Sequence, residues 1–201
     1  MLDAKLRPLI DPPLNWAGRV LAGVGVTANG LTFTGLVLGL VGAAAIAFGH
    51  IGWGLGLILA NRVADGLDGA VARVRGPSDL GGYFDIVADF AFYVSIPLGF
   101  GALAAENTLP ALVLVASFVL TGVSFLAFAV IAAKRGEETT AHGRKSFFYS
   151  TGLAEGTETT ALFIAMCLFP AWFPMLAYGY AALCVLTVFQ RSALAAAAFR
   201  D

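Results

Sequence analysis

The sequence predicts an all-α, polytopic membrane protein: six transmembrane helices preceded by an amphipathic helix lying in the membrane interface. Three observations carry that expectation. Of 201 residues, 59% are hydrophobic and only 12% charged, with a mean hydropathy of +0.83, which is too apolar for an ordinary soluble domain. The apolar residues fall into runs close to the roughly 20 residues of helix that a bilayer requires. Turns and polar segments carrying Gly, Pro or charge separate those runs. One membrane domain, residues 1–201, fills the chain, with an interfacial segment at 1–26 and a six-helix bundle at 31–198.

In chain order, residues 1–26 mix Lys5, Arg7 and Arg19 with Leu14, Trp16, Val20 and Leu21, the pattern of a helix lying flat on the cytoplasmic interface. Pro12 and Pro13 suit a helix start near that point. No compact apolar core follows the first charges directly, which argues against a cleaved signal peptide. The first span runs from about 31 to 48, after Thr27 to Gly30. Gly49 to Gly52 turn into the second span, about 53–74, and Arg75 to Asp79 break it. The third span begins near Gly81 and reaches about 104. Glu106, Asn107 and Pro110 mark a short outer loop before the fourth span at about 112–133.

Then comes the only long polar segment, from Lys134 to Thr159. A fifth span at about 153–169 opens with Glu155 and Glu158, which also suit the positive end of a helix dipole. After Pro170 to Pro174 a sixth span runs to about 198. With six crossings the twelve Lys and Arg residues fall on one side. The positive-inside rule makes that side cytoplasmic, and it is the side that holds the cluster of aspartates described next. The expected setting is therefore a multi-pass protein of a prokaryotic inner membrane with its site facing the cytoplasm. A net charge of −1 leaves no basic stripe for a nucleic-acid partner. Cys167 and Cys184 lie in apolar runs without ligand spacing and read as buried thiols.

The feature that demands a function is the stretch from Asn61 to Phe90, where four carboxylates interrupt apolar sequence. An aspartate near the centre of a bilayer costs roughly 2.5 to 3.5 kcal/mol on insertion scales, so several together point to water, a cation or a substrate path. Asp65 and Asp68 are three residues apart, Asp85 and Asp89 four, so each pair projects from one helix face. The turn between them folds the two pairs towards each other. Like charges at that range would force protonation, whereas one or two divalent cations would hold all four ionised. Oxygen-only ligands favour hard ions such as Mg2+, Mn2+ or Ca2+. Gly66, Gly69 and Ala72 remove bulk beside the first pair, so a ligand or a second helix can approach. Arg73 is placed to meet a phosphate.

At these residues the sequence resembles the CDP-alcohol phosphotransferases. Their signature is Asp, two residues, Asp-Gly, two residues, Ala-Arg, a spacer, Gly, three residues, Asp, three residues, Asp. Asp65, Asp68, Gly69, Ala72, Arg73, Gly81, Asp85 and Asp89 fill every position. The resemblance implies an integral membrane enzyme of phospholipid synthesis, in which an alcohol attacks the β phosphorus of a CDP-linked donor and CMP leaves. It implies two divalent metal ions, Mg2+ or Mn2+, on Asp65, Asp68 and Asp85, with Asp89 touching metal and taking the proton from the attacking hydroxyl. Gly69, Ala72, Arg73 and Gly81 would line the cytidine diphosphate site. Family members commonly carry Pro-Asn where this chain has Ala28-Asn29, so Asn29 is either a further nucleotide contact or a plain helix cap.

CDP-diacylglycerol is the expected donor; the reverse arrangement, a soluble CDP-alcohol with a lipid acceptor, uses the same site. Lys134, Arg135, Arg144, Lys145 and Arg191 are candidates for a cationic acceptor pocket, although positive-inside charge explains any one of them equally well. The branch of the family acting on inositol phosphate carries Glu-Arg, one residue, Glu-Arg at the start of the fifth span. This chain has Gly156 and Thr159 at the arginine positions, which counts against that acceptor. Glu155 and Glu158 would instead face an amino-alcohol or a polyol. A divalent-cation transporter would not need the Ala72-Arg73 element, and a prenyl-type transferase would lack Asp68-Gly69. Small-residue faces, and the resemblance, also suggest a homodimer in the lipid bilayer.

Overall fold

The computed structural model describes residues 2–135 and 154–199, with side chains among these from residue 8 onward. Among the described residues every regular element is helical: α1 (Leu2–Gly23), α2 (Ala28–Ala47), α3 (Ile51–Arg75), α4 (Asp79–Leu103), α5 (Ala105–Lys134), α6 (Gly156–Leu168), a 3-10 turn (Pro170–Trp172) and α7 (Phe173–Ala198). Among the described residues four stretches are long and apolar enough to cross a membrane: α2, α4, α5 and Pro170–Ala198. The two other expected crossings fall outside that set for separate physical reasons. The 25 residues of α3 suffice in length, but Arg62, Asp65, Asp68, Arg73 and Arg75 lower its hydropathy. The 13 residues of α6 are too few to span hydrocarbon at 1.5 Å per residue.

Only 28–33% of each apolar window is buried within the protein. Phe33, Val37 and Val41 of α2 and Val119, Val123 and Val130 of α5 are exposed, an outer surface that suits hydrocarbon and would be costly in water. The inward faces meet in an aromatic core, where Phe92, Phe100, Phe163 and Phe173 are fully buried and Phe100 stacks on Phe173 at 4.7 Å between centroids.

Helix α2 packs on α3 and α4, α5 packs on α4 and α7, and α1 lies along α3. The contact of α2 depends on Gly39, where a Cβ would stand 2.6 Å from the Phe92 ring and 3.3 Å from Nδ2 of Asn61. Closely approaching backbones of this kind are how helices associate in membranes without a hydrophobic drive. The α1–α3 crossing is equally tight, with Gly18 set against Ala70 and Leu14 filling the space left by Gly66.

Three boundaries differ from expectation. Pro12 and Pro13 do not start a helix, because α1 runs through them and through Pro8. The carbonyls their missing N–H groups leave unpaired belong to Pro8 and Leu9, which are exposed and open to outside donors. Glu106, Asn107 and Pro110 are not a loop but the opening of α5, and the chain breaks at Ala104 alone. The break is so short because the α4 terminus is satisfied by side chains from α5: Asn107 donates to the Phe100 carbonyl at 3.1 Å and Thr108 to the Gly101 carbonyl at 3.2 Å. Asp79, expected among the breakers, is the first residue of α4. The turn itself is Gly76, at φ +96°, then Pro77 and the N-cap Ser78, whose hydroxyl accepts from the Gly81 N–H at 3.1 Å.

Candidate functional site

The α3–α4 hairpin brings the two aspartate pairs together as their spacing predicts. Carboxylate oxygens of Asp65, Asp68 and Asp85 lie within 4.8 Å of one another, close enough for one hard cation to bridge them. Asp68 is buried, while Asp65 and Asp85 are partly covered. Helix α2 supplies a further contact: the Thr32 hydroxyl donates to Oδ2 of Asp68 at 2.6 Å. That bond fixes the carboxylate and leaves its other oxygen for a ligand. Beside these groups a cleft opens between α2, α3 and α4, lined by Thr32, Leu36, Asn61, Arg62, Asp65 and Asp89 among others.

Asp89 is engaged differently. Nη2 of Arg62 donates to its Oδ1 at 3.0 Å, and Nη1 of the same guanidinium stands 3.6 Å from Oδ2 of Asp65. Arg62 is itself held on three further sides. Its Nε donates to Oδ1 of Asn61 at 2.7 Å, its Nη1 approaches the Tyr93 hydroxyl at 3.4 Å, and its guanidinium lies 4.2 Å from the centre of the Phe92 ring. Asn61 is anchored in turn by donating to the Gly35 carbonyl of α2 at 2.7 Å. Sequence reasoning gave Arg62 no role. An available signal was an arginine within an apolar helix, three residues before Asp65 and so on its face.

The residues expected at the nucleotide gather at the same end of the hairpin. Asn29 lies in the first turn of α2, whose cap is Thr27, accepting from the Gly30 N–H at 3.2 Å. The side chain of Asn29 instead reaches α4, where a Cβ on Gly81 would stand 3.2 Å from its Oδ1. Ala72 and Gly69 leave room on α3, the nearest atom to a Cβ at Gly69 being Nη1 of Arg73 at 3.4 Å. Arg73 is exposed and held from α1, with its Nε and Nη2 donating to Oδ1 of Asn15 at 3.1 and 2.9 Å.

The candidate acceptor residues are more scattered. Glu155 sits at the N-cap of α6 and Glu158 in its first turn; the neighbouring Gly156 faces the Tyr93 hydroxyl, 3.4 Å from where its Cβ would be. This terminus therefore approaches the Arg62–Asp89 pair through Tyr93. Thr159 is buried, its hydroxyl paired with the Glu155 carbonyl and with the Tyr180 hydroxyl, each at 2.8 Å. Arg191 is buried on α7 and donates from Nη1 to the Thr121 carbonyl at 2.8 Å and to Oγ of Ser124 at 3.2 Å, which ties α7 to α5. Its Nε is buried without a hydrogen-bond partner among the described residues. Lys134 ends α5, exposed. Arg135 donates to the carbonyls of Ala198 and Phe199 at the end of α7, at 3.4 and 3.1 Å. Arg144 and Lys145 lie outside the described residues.

Comparison with known proteins bears on the same stretch of chain. Residues 25–193 match the family model described as CDP-alcohol phosphatidyltransferase, a span that contains the hairpin and all four aspartates. The chain is 47% identical over 192 residues to the inner membrane protein YnjF of Escherichia coli K12, covering 95% of this chain and 93% of that one. Together with the four apolar helices, that likeness marks a multi-pass membrane protein. Three crystal structures of the Mycobacterium tuberculosis phosphatidylinositol phosphate synthase PgsA1 share the fold at a TM-score of 0.65 and 21% identity, covering 89% of this chain. They are the forms with CDP-DAG bound, with manganese and citrate, and apo, of which 90%, 86% and 94% respectively is covered.

Proposed function

The chain belongs to the CDP-alcohol phosphatidyltransferase family, and on that premise we propose that it transfers a phosphatidyl group from CDP-diacylglycerol to the hydroxyl of a small alcohol, releasing CMP. The observation that carries this reading is the meeting of Asp65, Asp68 and Asp85 from two helices with Asp89 beside them. A fold shared with PgsA1, solved with CDP-DAG bound, supports a CDP-linked lipid as donor.

The residues present fit divalent cations. The donors are carboxylate oxygens, three of them converge within 4.8 Å, and Asp68 is oriented by Thr32. In this reading Asp65, Asp68 and Asp85 hold Mg2+ or Mn2+, two ions in all, with Asp89 reaching the second. Bound there, the ions would neutralise the pyrophosphate and stabilise the leaving CMP. The protein's own groups do the rest. Asn29, Gly69, Ala72, Arg73 and Gly81 seat the cytidine diphosphate, with the small residues admitting it close to the α3 backbone. Asp89 takes the proton from the acceptor hydroxyl as its oxygen attacks the β phosphorus.

The acceptor enters from the α6 side, past Glu155 and Glu158. Inositol phosphate is disfavoured there, because Gly156 and Thr159 stand at the two positions where the branch acting on it carries arginine. Lys134, Arg135, Arg144, Lys145 and Arg191 complete the acceptor side or bind anionic lipid.

The same reading takes residues 1–201 as one membrane domain of six crossings. Helix α3 falls short in hydropathy because it carries the site, and the fifth crossing expected at about 153–169 begins outside the described residues. Helix α1 lies in the cytoplasmic interface, with the site facing the cytoplasm and two chains forming a dimer. The test is CMP release by purified protein in detergent with Mg2+ or Mn2+ and CDP-diacylglycerol, across glycerol 3-phosphate, serine, inositol and inositol phosphate. CMP with one acceptor supports the reading. CMP only from a soluble CDP-alcohol with a lipid acceptor reverses donor and acceptor, and no CMP in either format overturns it.

A further inference from the structure

The four aspartates are not equivalent. Three present oxygens to one another within 4.8 Å, whereas Asp89 accepts the short 3.0 Å contact from the Arg62 guanidinium, whose other nitrogen stands 3.6 Å from Asp65. That guanidinium is not a loose surface group. Asn61 binds Nε at 2.7 Å, the Phe92 ring covers one face at 4.2 Å, and Asn61 is itself tied to α2 through the Gly35 carbonyl. An arginine seated by residues of two helices and braced on a third resists displacement from its carboxylate.

Charge arithmetic gives the consequence. Four carboxylates and one guanidinium sum to −3, so a first divalent ion on Asp65, Asp68 and Asp85 is strongly attracted and leaves −1. A second ion on Asp89 would stand beside the guanidinium that holds Oδ1, against that charge and the first ion, and would carry the centre to +1. Like charges a few ångströms apart in a weakly screened site repel strongly. The balance reverses once an anionic diphosphate arrives.

We propose that Arg62 is the resident counter-cation of Asp89. It divides the four carboxylates into a ready ion site on Asp65, Asp68 and Asp85 and a deferred site that fills only as Arg62 turns away from Asp89. Arg62 is thus a positioning residue that makes entry of the second ion depend on the donor's charge. The inference rests on the metal-dependent reading above.

The experiment is a Mn2+ titration of purified protein in detergent, without nucleotide, with free ion followed by electron paramagnetic resonance. Wild type is expected to bind one ion tightly and a second at least about tenfold more weakly. Arg62→Met should tighten the second ion by about tenfold or more while changing the first less, and Arg62→Lys, which keeps the charge, should leave the second weak. Asp89→Asn should keep the tight ion near wild-type affinity and lose the weak one; it carries the test alone should Arg62→Met not yield folded protein.

Superimposable curves for wild type and Arg62→Met would overturn the inference and leave the metal reading standing. So would two equal sites in wild type, an Arg62→Lys curve matching Arg62→Met, or loss of the tight ion in Asp89→Asn. No Mn2+ bound by wild type would overturn the metal reading, and the inference with it.

Discussion

Thr32 of α2 donates a 2.6 Å hydrogen bond to Asp68 of α3, so the helix that contributes no carboxylate nonetheless fixes the most deeply buried one. A ligand oxygen held in place before the ion arrives does not have to be ordered by it. Groups that orient metal ligands typically contribute 10- to 100-fold in affinity, so Thr32→Val, nearly the same shape without the hydroxyl, should weaken Mn2+ binding by about tenfold or more. The thermal midpoint in detergent should fall little, since the substitution leaves the α2–α3 packing in place. Unchanged Mn2+ affinity would mean that the bond serves only to join the helices.

Asp89 has the strongest claim to the proton of the attacking hydroxyl, because it borders the cleft and lies on the side of the hairpin that faces α6 through Tyr93. Replacing a general base usually costs about 10²- to 10⁴-fold in rate. Asp89→Asn should therefore lower CMP release by that factor while the protein still inserts in membranes and elutes as wild type does. Full activity in this variant would remove Asp89 from the role of base.

How much of this was legible in the sequence depended on whether both partners of a contact lay close along the chain. The aspartate spacings, three and four residues, declare their helix faces directly, and Gly76, Pro77 and Ser78 announce the turn that folds them together. Helix α4 starts and caps where those residues require. Contacts between distant segments left weaker traces. Thr32 is an unremarkable threonine in an apolar run until Asp68, 36 positions away, is packed against it. Arg62 pairs with Asp65 on its own helix, which spacing foretells, but its shorter bond is to Asp89, 27 positions on. Gly66 was expected to admit a ligand or a helix, and Leu14 of α1 settles the matter in favour of the helix. The prolines of α1 misled because a helix exposed along one side tolerates lost hydrogen bonds that a buried one would not.

Chelation separates the metal reading from every alternative that uses the carboxylates structurally. Removing divalent ions with EDTA should abolish CMP release and lower the thermal midpoint, since four carboxylates and one arginine leave the site with excess negative charge. Mg2+ or Mn2+ should restore both. Activity that survives exhaustive chelation would show that Asp65, Asp68 and Asp85 form a protonated network instead of an ion site.

The last prediction concerns α1, which supplies none of the four clustered aspartates yet controls a group at the nucleotide end of the site. Asn15 accepts from both Nε and Nη2 of Arg73, holding the guanidinium fork in one orientation at the surface of α3. Losing that acceptor costs about 1 kcal/mol of orientation, so Asn15→Ala should raise KM for the CDP-linked donor about fivefold and change kcat less. Gly18→Leu tests the docking itself. A Cβ at Gly18 would lie 2.6 Å from Cβ of Ala70 and 2.9 Å from its carbonyl carbon, and backbone cannot yield as a side chain can. The crossing must open, at a cost of about 1–3 kcal/mol, which a lowered thermal midpoint would register. Because opening it also carries Asn15 away from Arg73, Gly18→Leu should reproduce the KM defect of Asn15→Ala, and the double variant should be no worse in KM than Gly18→Leu alone. Additive defects would mean that α1 acts on the site by a route other than Arg73.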